Sequence, residues 1–512
     1  MKRITSLLLV LAFLLAIPMA VSGEEDVITT ITMFYPTSRS TNDYTNLVVE
    51  AVKEAIGVEM VVYAGSASEW KQQLSLYITS GEVPDIVAYM DVATFTTYAE
   101  QGVWYDLTSL IDDYPDIRPY VAAQTSDPDS VWARMTVDGK LYGIPYMSGC
   151  ACKYLNVLRK DWMQNLGLEY PTTLDELTEI LRAFTFDDPD GNGIKDTYGY
   201  GNASSIVNLT EFFGAFGATP REDTLLYADG KLYSSVISDE YRAALEYLRD
   251  IYAEGLIYPE IFTMTETQRY EEFVRGTYGC TTWWWTHGSN VINRYGFLEA
   301  NPNGDIMFFD PVAGPDGYAG HVAEDPIMSV VAVSASCQNP EKALELLNYQ
   351  ATYDGYCTVY LGPEGQFWTK GENGKRNWDW TLEGVDKLGN AQNDMEYYKI
   401  LGNNPVQNES KLLMKPSIRN NISKEQIIRI NTAPIYSNVF VGLITPEYQQ
   451  YGSETQKYFT DYTIKFITGE KNLDEEWDSY VEGYLACGGE AIRQSLLDLY
   501  NEKNGTNLVF GN

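Results

Sequence analysis

The sequence predicts an α/β protein of two large lobes or more. Near the N-terminus, short apolar strands alternate with amphipathic helices, a pattern typical of a largely parallel sheet. The chain has 512 residues, which is long enough for each of two lobes to bury a core of its own. The C-terminal end reads as three helices, predicted near 455–468, 474–486 and 490–502.

The first 22 residues have the pattern of a secretory signal peptide. Lys2 and Arg3 form a basic start, residues 7–16 are apolar, and Ala20–Ser22 offers small residues for cleavage. The apolar run is too short for a membrane span, and no later stretch reaches the roughly 18 apolar residues that one needs. We therefore predict an exported chain that begins near Gly23.

The N-terminal part predicts three strands and three helices in alternation. The strands fall at 28–35, 58–63 and 85–89, and the helices at 44–56, 69–79 and 96–101. Ligands of such sheets bind at the loops that follow the strands. Residues 36–41, 65–70 and 90–94 are therefore expected near a cleft.

A second block begins near Leu155 with a strand, a short helix that ends at Gly167, and a longer helix. Thr173 and Glu176 form a capping box at the start of that longer helix. More helices are predicted at 241–254 and 266–275, and one begins at Asn339-Pro340-Glu341 with a first-turn proline.

The loop at 187–199, DDPDGNGIKDTYG, has oxygen groups at the spacing of a calcium-binding loop. Side chains at positions 1, 3, 5 and 9 and the carbonyl at position 7 come from Asp188, Asp190, Asn192, Asp196 and Ile194. Position 12 is Gly199 where a glutamate is usual, so one ligand is missing. The alternative is a turn rich in Gly and Asp that binds no metal.

Charge and cysteine content exclude some classes of function. The formal charge is −35, from 71 acidic and 36 basic residues, so the surface repels nucleic acid and anionic lipid. This overall balance favours a neutral or cationic ligand. The six cysteines allow 15 pairings, and buried free thiols are the expectation. Zinc is not expected, because His287 and His321 are the only histidines.

A series of short motifs spans nearly the whole exported chain. In order they are SGEVPDI at 80–86, GKLYGIP at 139–145, LRKDW at 158–162, LGL at 166–168, PTT at 171–173, the loop residues 188–196, FVRGTYG at 273–279, NPE at 339–341, FITG at 466–469 and WD at 477–478. Together they resemble the extracellular solute-binding proteins of carbohydrate ABC importers, the group that contains alginate-oligosaccharide binders.

The resemblance implies a two-lobed periplasmic-binding-protein-like fold of type II, with hinge crossovers and a helical C-terminus. Lobe 1 would comprise 24–150 and 328–405, and lobe 2 would comprise 151–327 and 406–512. The chain would capture an oligosaccharide by hinge closure and deliver it to an ABC transporter permease, and we expect it to be a monomer.

The resemblance also bears on calcium and on anchoring. Asp188, Asp190, Asn192, Asp196 and the Ile194 carbonyl match the calcium positions of the family, which implies a structural Ca²⁺. Thr197 stands where a second carboxylate is expected. The cleavage region MAVSGEED has no cysteine, so lipid anchoring is not supported.

Sugars present flat C–H faces ringed by hydroxyls, so their sites combine aromatic platforms with polar groups. The run Trp283-Trp284-Trp285 stands out because alternating faces of a strand cannot place all three in one core. By family position this run lies at the cleft. The predicted ligand residues are Trp283, Trp285 and His287 on one face, then Trp70, Tyr89, Tyr146, Tyr154 and Asp325, with Trp378 and Trp380 as weaker candidates. For any single aromatic residue, packing is the alternative.

Two other functions stay open at this point. The same fold could bind peptides. A secreted glycan-active enzyme would need two carboxylates about 5–9 Å apart, which the sequence alone does not exclude. A Ser-His-Asp triad has little material, and no nucleophile elbow or phosphate loop is present. The sequence therefore predicts a binding protein and not an enzyme.

Overall fold

The computed structural model describes residues 28–37, 41, 43–66, 68–125, 127–148, 153–226, 230–284, 291–292, 295–322, 325–365, 368–371, 376–378, 398–402, 435–436 and 438–511. The predicted signal peptide lies outside these residues. Within them, two large sheets are each packed between helices, so the fold is mixed α/β with two lobes and a helical C-terminus. No described helix combines the length and apolar character of a membrane span.

The strands, numbered in chain order, are β1 (Thr29–Pro36), β2 (Val58–Gly65), β3 (Ile86–Met90), β4 (Thr136–Val137), β5 (Lys140–Leu141), β6 (Gly143–Met147), β7 (Tyr154–Arg159), β8 (Tyr198–Tyr200), β9 (Thr224–Leu226), β10 (Leu232–Ser234), β11 (Tyr278–Trp284), β12 (Ile306–Phe309), β13 (His321–Val322), β14 (Ile327–Val333), β15 (Trp368–Lys370), β16 (Arg376–Trp378) and β17 (Ile435–Tyr436).

The described α-helices are Asp43–Ile56, Trp70–Ser80, Val92–Glu100, Ile117–Ala122, Pro128–Arg134, Lys160–Leu166, Leu174–Phe186, Thr210–Ala215, Asp239–Ala253, Glu266–Arg275, Phe297–Ala300, Pro340–Ala351, Tyr353–Leu361, Pro446–Thr468, Leu473–Tyr484 and Glu490–Asn504. The predicted helices are all present, and two begin earlier than expected. Asp91 caps one of them by accepting from the Thr94 amide at 2.8 Å, and Thr445 with Pro446 starts the other.

The first sheet has the strand order β2-β1-β3-β14-β6. Strands β1, β2 and β3 run parallel, and β14 is antiparallel to both β3 and β6. Strand β6 therefore points the same way as β1 and β3, and all three end at one edge. The first core, drawn from residues 31–147 and 327–401, covers this sheet and is mostly aliphatic.

The second sheet has the strand order β12-β7-β11-β8. Strand β7 pairs antiparallel with β11 and β12, and β8 runs parallel to β11. Its two faces meet different apolar clusters, because Leu158 and Cys280 belong to one and Val157 and Trp283 to the other. Both faces of this sheet are therefore buried.

Behind the second sheet lies a buried polar network centred on Glu211. One carboxylate oxygen of Glu211 accepts from the Val312 amide at 2.8 Å, and the other contacts the Asn156 amide and lies 2.9 Å from Nε2 of His321. Thr282 donates to Asn156 Oδ1 at 3.2 Å. The four side chains of this network are at most 2% exposed, so their polar groups satisfy one another away from water. They belong to Asn156, Glu211, Thr282 and His321.

Candidate functional site

Three tyrosines gather where β1, β3 and β6 end. Tyr35, Tyr89 and Tyr146 come from these three strands, and their rings are in contact, with centroids 5.4 Å apart for Tyr35–Tyr89 and 4.7 Å apart for Tyr89–Tyr146. Tyr89 has φ of 61°, a left-handed conformation that is unusual for a bulky residue and concentrates at functional sites. The structure thus brings the predicted residues Tyr89 and Tyr146 together, and adds Tyr35.

The two described tryptophans of the run, both in β11, differ in burial. Trp283 is fully buried, with its ring 4.7 Å from Phe273 and 6.2 Å from Tyr270. Trp284, its neighbour, is half-buried and meets the Tyr154 ring edge-on at 5.5 Å. Trp283 therefore lies in the core, and the half-buried Trp284 packs against the same apolar cluster. The ligand contact predicted for Trp283 stays a prediction. Trp285 and His287 lie outside the described residues.

Polar side chains hold the stretch of chain that crosses from the second sheet to β14 of the first sheet. Asp325 pairs in a bidentate manner with Arg134, whose two terminal nitrogens donate at 2.8 and 2.7 Å. The same carboxylate also accepts from the Ile327 amide at 2.8 Å. Since three hydrogen bonds already engage Asp325, it fastens the crossing chain to the first lobe, which differs from the direct ligand contact predicted for it.

A second crossing runs beside the first. The Ser148 amide donates to the Pro326 carbonyl at 2.9 Å, and Lys153 Nζ lies 3.4 Å from the Asp325 carbonyl. The Lys153 ammonium also lies 5.5 Å from the Trp284 ring centre. The tyrosine group, through Tyr146 of β6, and the Trp284–Tyr154 pair of the second sheet therefore stand at opposite ends of one short crossing.

The remaining predicted aromatics are less informative. Trp70 is half-buried against the first core, and the Lys71 ammonium lies 5.6 Å from its ring centre. Trp378 is in β16, opposite Trp368 of β15. Trp380 lies outside the described residues. Sequence reasoning missed Trp284, Arg134 and Lys153, and no local signal in the sequence marks any of the three.

The loop 187–199 folds round the Asp188 carboxylate. Asp188 accepts from the amides of Asn192 at 3.1 Å and Gly193 at 3.0 Å, and the Asn192 side chain reaches Asp190 at 2.8 Å and Asp196 at 3.4 Å. Burial raises the pKa of Asp190, and its neighbours Asp188 and Asp196 add to the rise. Closely placed acidic oxygens suit a hard divalent cation. Even so, no three acidic, His or Cys side chains in the described ranges are already gathered as a metal cluster.

Packing explains two departures of this loop from the usual calcium pattern. A Cβ on Gly199 would come within 2.6 Å of the Leu181 carbonyl oxygen, so β8 can pass the helix Leu174–Phe186 only with glycine there. The Thr197 hydroxyl donates to the Phe184 carbonyl at 2.8 Å and is buried. Position 199 therefore has no side chain to offer to the loop, and the Thr197 hydroxyl is already engaged.

The cysteines fit the expectation in part. Cys280 and Cys337 are buried free thiols, Cys357 is also buried, and Cys487 is free and half-buried. Burial raises the pKa of Cys280 and raises that of Cys337 to about 12, so both stay protonated and unreactive at neutral pH. Cys150 and Cys152 lie outside the described residues.

Comparisons with known proteins agree with this architecture. Residues 38–356 match the family described as bacterial extracellular solute-binding protein. The polygalacturonan/rhamnogalacturonan-binding protein YtcQ of Bacillus subtilis is 23% identical over 84% of this chain and 83% of its own. The fructooligosaccharide ABC transporter substrate-binding protein FusA of Streptococcus pneumoniae is 24% identical over 89% of this chain and 87% of its own.

Solved structures show the same fold. FusA in complex with kestose has a TM-score of 0.69 at 19% identity, with 94% of this chain and all of that chain covered. Alginate-binding protein AlgQ2 without calcium ion has a TM-score of 0.68 at 20% identity, with 93% and 100% covered. The resemblance read from the motifs is confirmed: this chain belongs to the bacterial extracellular solute-binding proteins.

Proposed function

We propose that this protein captures an oligosaccharide outside the cell and delivers it to the permease of an ABC importer. The observation that carries this proposal is the pair of aromatic groups from the two sheets, Tyr35–Tyr89–Tyr146 and Trp284–Tyr154, at the two ends of one crossing. Aromatic faces bind the C–H faces of sugar rings, and tyrosine hydroxyls exchange hydrogen bonds with sugar hydroxyls. The names of the relatives, which include binders of fructooligosaccharides and of polygalacturonan, support a sugar over a peptide.

Hinge closure is the proposed mechanism. A ligand that contacts both aromatic groups stabilises the closed arrangement of the lobes, because only that arrangement offers both sets of contacts. The Arg134–Asp325 pair and the Ser148–Pro326 hydrogen bond would hold the crossings together while the lobes move. The proposed lobes are 24–150 with 328–405, and 151–327 with 406–512.

We also propose that loop 187–199 binds a structural Ca²⁺ through Asp188, Asp190, Asn192, Asp196 and the Ile194 carbonyl. Among the structural neighbours are AlgQ2 without calcium ion and an EF-hand mutant of FusA, which supports a metal loop in this fold. Because Gly199 has no side chain to offer and the Thr197 hydroxyl is already engaged, water or a distant oxygen would complete the shell.

The remaining parts of the proposal concern location and assembly. The exported chain would act as a monomer at the outer face of the cell. The absence of a cysteine in MAVSGEED argues against a lipid anchor, although one relative is the lipoprotein LipO of Bacillus subtilis. Fractionation of cells into medium, membrane and soluble parts tests this, and a detergent-released, acylated form would contradict the unanchored state.

The ligand proposal is tested on the mature chain with a panel of neutral and acidic oligosaccharides and short peptides. A bound sugar should raise the melting temperature, since a ligand that binds only the folded state stabilises it. Calorimetry then gives the dissociation constant. Binding by peptides alone would favour the peptide alternative, and steady release of cleaved sugar would show an enzyme.

The aromatic contacts are tested by Tyr89→Ala, with Tyr63→Ala as the control. Tyr63 lies on β2 at the edge of the first sheet and is 43% exposed, so its loss should leave sugar binding unchanged. Tyr89→Ala should weaken binding about tenfold or more, as expected for the loss of an aromatic contact and a hydrogen bond. Equal affinity in the two variants would show that Tyr89 does not contact the ligand.

A further inference from the structure

The Arg134 guanidinium contacts both proposed lobes and the crossing between them. Arg134 ends the helix Pro128–Arg134, and its neighbours Val131 and Met135 belong to the first core. The bidentate pair with Asp325 holds the guanidinium in one orientation, and the Arg134 side chain is only 14% exposed. Asp325 itself lies between β13 and β14. The first lobe and the crossing are therefore joined at this group.

Gly442 brings a third segment of the chain to the same guanidinium. A Cβ on Gly442 would lie 2.2 Å from Arg134 Cζ and 2.4 and 2.5 Å from the two terminal nitrogens, so the glycine backbone packs directly on this group. Gly442 also has φ of 74°, in the left-handed region that favours glycine. A side chain at this position would meet both backbone strain and a group that its ion pair holds in place.

The turn around Gly442 is fixed to the second lobe. The Val439 amide donates to the Thr224 carbonyl of β9 at 2.9 Å. Phe440 is buried in one cluster with apolar side chains of the last helix. The helix that begins at Pro446, just after this turn, packs other apolar side chains into the second core. Contact between Arg134 and Gly442 therefore joins one lobe to the other.

We propose that the contact between Arg134 and Gly442 sets the balance between the open and closed arrangements of the lobes, and so tunes the affinity for every ligand. This inference rests on the hinge closure proposed above, in which Arg134 is a positioning residue. A side chain at 442 must either break the Arg134–Asp325 pair or move the turn away from the first lobe, and both changes alter that balance. Apparent affinity scales with the fraction of the chain in the binding-competent arrangement, so all ligands should respond by one common factor.

Two other roles for this contact make different predictions. If the contact only stabilised the fold, a side chain at 442 would lower the melting temperature and leave the shape and the ligand affinities of the folded chain unchanged. If the turn touched the ligand, the substitution would change the affinity for some ligands more than for others. The shape of the ligand-free chain and the ratio of affinities therefore separate the three roles.

The test compares Gly442→Ala with Gly469→Ala. Gly469 also has φ of 74°, but a Cβ there would meet nothing within 4 Å, so this control carries the backbone strain without the clash. Small-angle X-ray scattering of the ligand-free mature chains gives their radii of gyration. Calorimetry gives the affinities for kestose, for trigalacturonate and for any other oligosaccharide of the panel above that binds wild type.

Gly442→Ala should change the radius of gyration and shift every affinity by the same factor, about fivefold or more, which is typical of coupling between a remote position and a binding site. The two changes are linked in sign. A smaller radius marks a more closed chain and should accompany tighter binding, whereas a larger radius should accompany weaker binding. Gly469→Ala should match wild type in both measurements.

A double variant tests whether contact with Arg134 is the cause. Arg134→Ala removes the group on which Gly442 packs, so adding Gly442→Ala to it should change neither the radius of gyration nor any affinity further. A second shift of full size in the double variant would assign the effect to the strained turn alone and would overturn the inference.

Three more outcomes overturn the inference while leaving the proposed function intact. They are a Gly442→Ala chain that matches Gly469→Ala in shape and affinity, affinity changes that differ between ligands, and tighter binding by a chain of larger radius. If no oligosaccharide binds the wild-type chain, the proposed function fails, and the scattering comparison still tests the contact. A Gly442→Ala chain that does not fold is replaced by Gly442→Asn, with Gly469→Asn as its control, because asparagine tolerates left-handed φ and still carries a Cβ.

Discussion

The two sheets bury their central strands with different chemistry. In the first sheet, β3 and β14 are filled with Ile, Val, Ala and Met, and the core around them is largely aliphatic. In the second sheet, the central strands carry Asn156 and Thr282, which join Glu211 and His321 in a buried network. One lobe depends on apolar packing, and the other also depends on polar groups that must all find partners.

The difference matters because the two kinds of interior respond differently to change. An aliphatic core tolerates small changes of volume at modest cost. A buried polar network becomes unfavourable as soon as one member is lost, because the donors that remain are away from water. The network also touches the crossing, since Nδ1 of His321 lies 3.1 Å from the Tyr154 carbonyl. The second lobe is thus the less forgiving one, next to the proposed ligand platform.

The largest effect is expected from Glu211→Ala. It leaves the donors of Val312, Asn156 and His321 without their acceptor, which should destabilise the chain by about 3–5 kcal/mol. Ile144→Val in the first sheet, at a fully buried position, should cost about 1 kcal/mol. Urea unfolding of both variants measures the two free energies. Similar losses of unfolding free energy in the two variants would show that the polar interior of the second sheet is no more sensitive to substitution than the aliphatic interior of the first.

The next effect separates the neighbouring tryptophans of the second sheet. Trp283→Ala should destabilise by about 3–5 kcal/mol, because it opens a cavity among Phe273 and Tyr270. Trp284→Ala should cost less stability, because Trp284 is only half-buried, and should weaken sugar binding about tenfold, from the loss of one aromatic contact. Melting curves and calorimetry on both variants make the comparison. Loss of sugar binding in a stable Trp283→Ala protein would support the sequence-based prediction that Trp283 contacts the ligand.

These tryptophans also show where sequence reasoning stops. In the first lobe, apolar periodicity and caps predicted the strands, the helices and the edge where Tyr89 and Tyr146 meet. In the second, β11 is buried on both faces, so alternation alone cannot tell which face of the Trp run meets the core. Only the packing of Phe273 and Tyr270 against Trp283 decides it.

Contacts between residues far apart in the sequence also could not be predicted from the sequence. Arg134 and Asp325 are 191 residues apart in sequence, and nothing local marks them as partners. Gly199 looked like a missing calcium ligand until the close approach of Leu181 explained it. The spacing of loop 187–199 could be recognised in the sequence because its candidate ligands lie within a few residues of each other. Pairs that only folding brings together could not be recognised in this way.

Calcium removal should have a smaller effect, confined to the second lobe. If loop 187–199 binds the ion, calcium at 100 times its dissociation constant adds about 2.7 kcal/mol to stability, and a chelator removes that amount. Sugar affinity of the folded chain should change little, because the described hydrogen bonds of residues 188–196 run within the loop and to Asn165, and none runs to a described residue of the crossing. Asp188→Ala should abolish the response to calcium, while Asp129→Ala, outside the loop, should retain it. A chelator that abolished sugar binding without lowering the melting temperature would contradict a structural role.

The smallest effect concerns pH and a half-buried carboxylate of the second lobe, Glu222. Burial raises the pKa of Glu222, with Asp223 adding to it and hydrogen bonds from Thr455 and Tyr484 opposing it. The folded chain therefore holds this proton more tightly than the unfolded chain, so the stabilisation is present at low pH and is lost as pH rises through the folded pKa. Glu222→Gln removes the charge and should gain stability relative to wild type between pH 4.5 and 7.5.

Glu254→Gln is the control of opposite sign. Hydrogen bonding from Arg182, at 2.6 Å on the surface, lowers the pKa of Glu254, so its contribution is present above the unfolded pKa and is lost as pH falls. This variant should lose a little stability at pH 7.5, within about 1 kcal/mol for an exposed pair, and converge with wild type in acid. Thermal melts of the three proteins across this range give the curves. If Glu222→Gln instead lost stability at pH 7.5, as Glu254→Gln does, the hydrogen bonds to the Glu222 carboxylate would offset the cost of burying its charge. In that case only the network around Glu211 would make the second lobe sensitive to changes of polar groups.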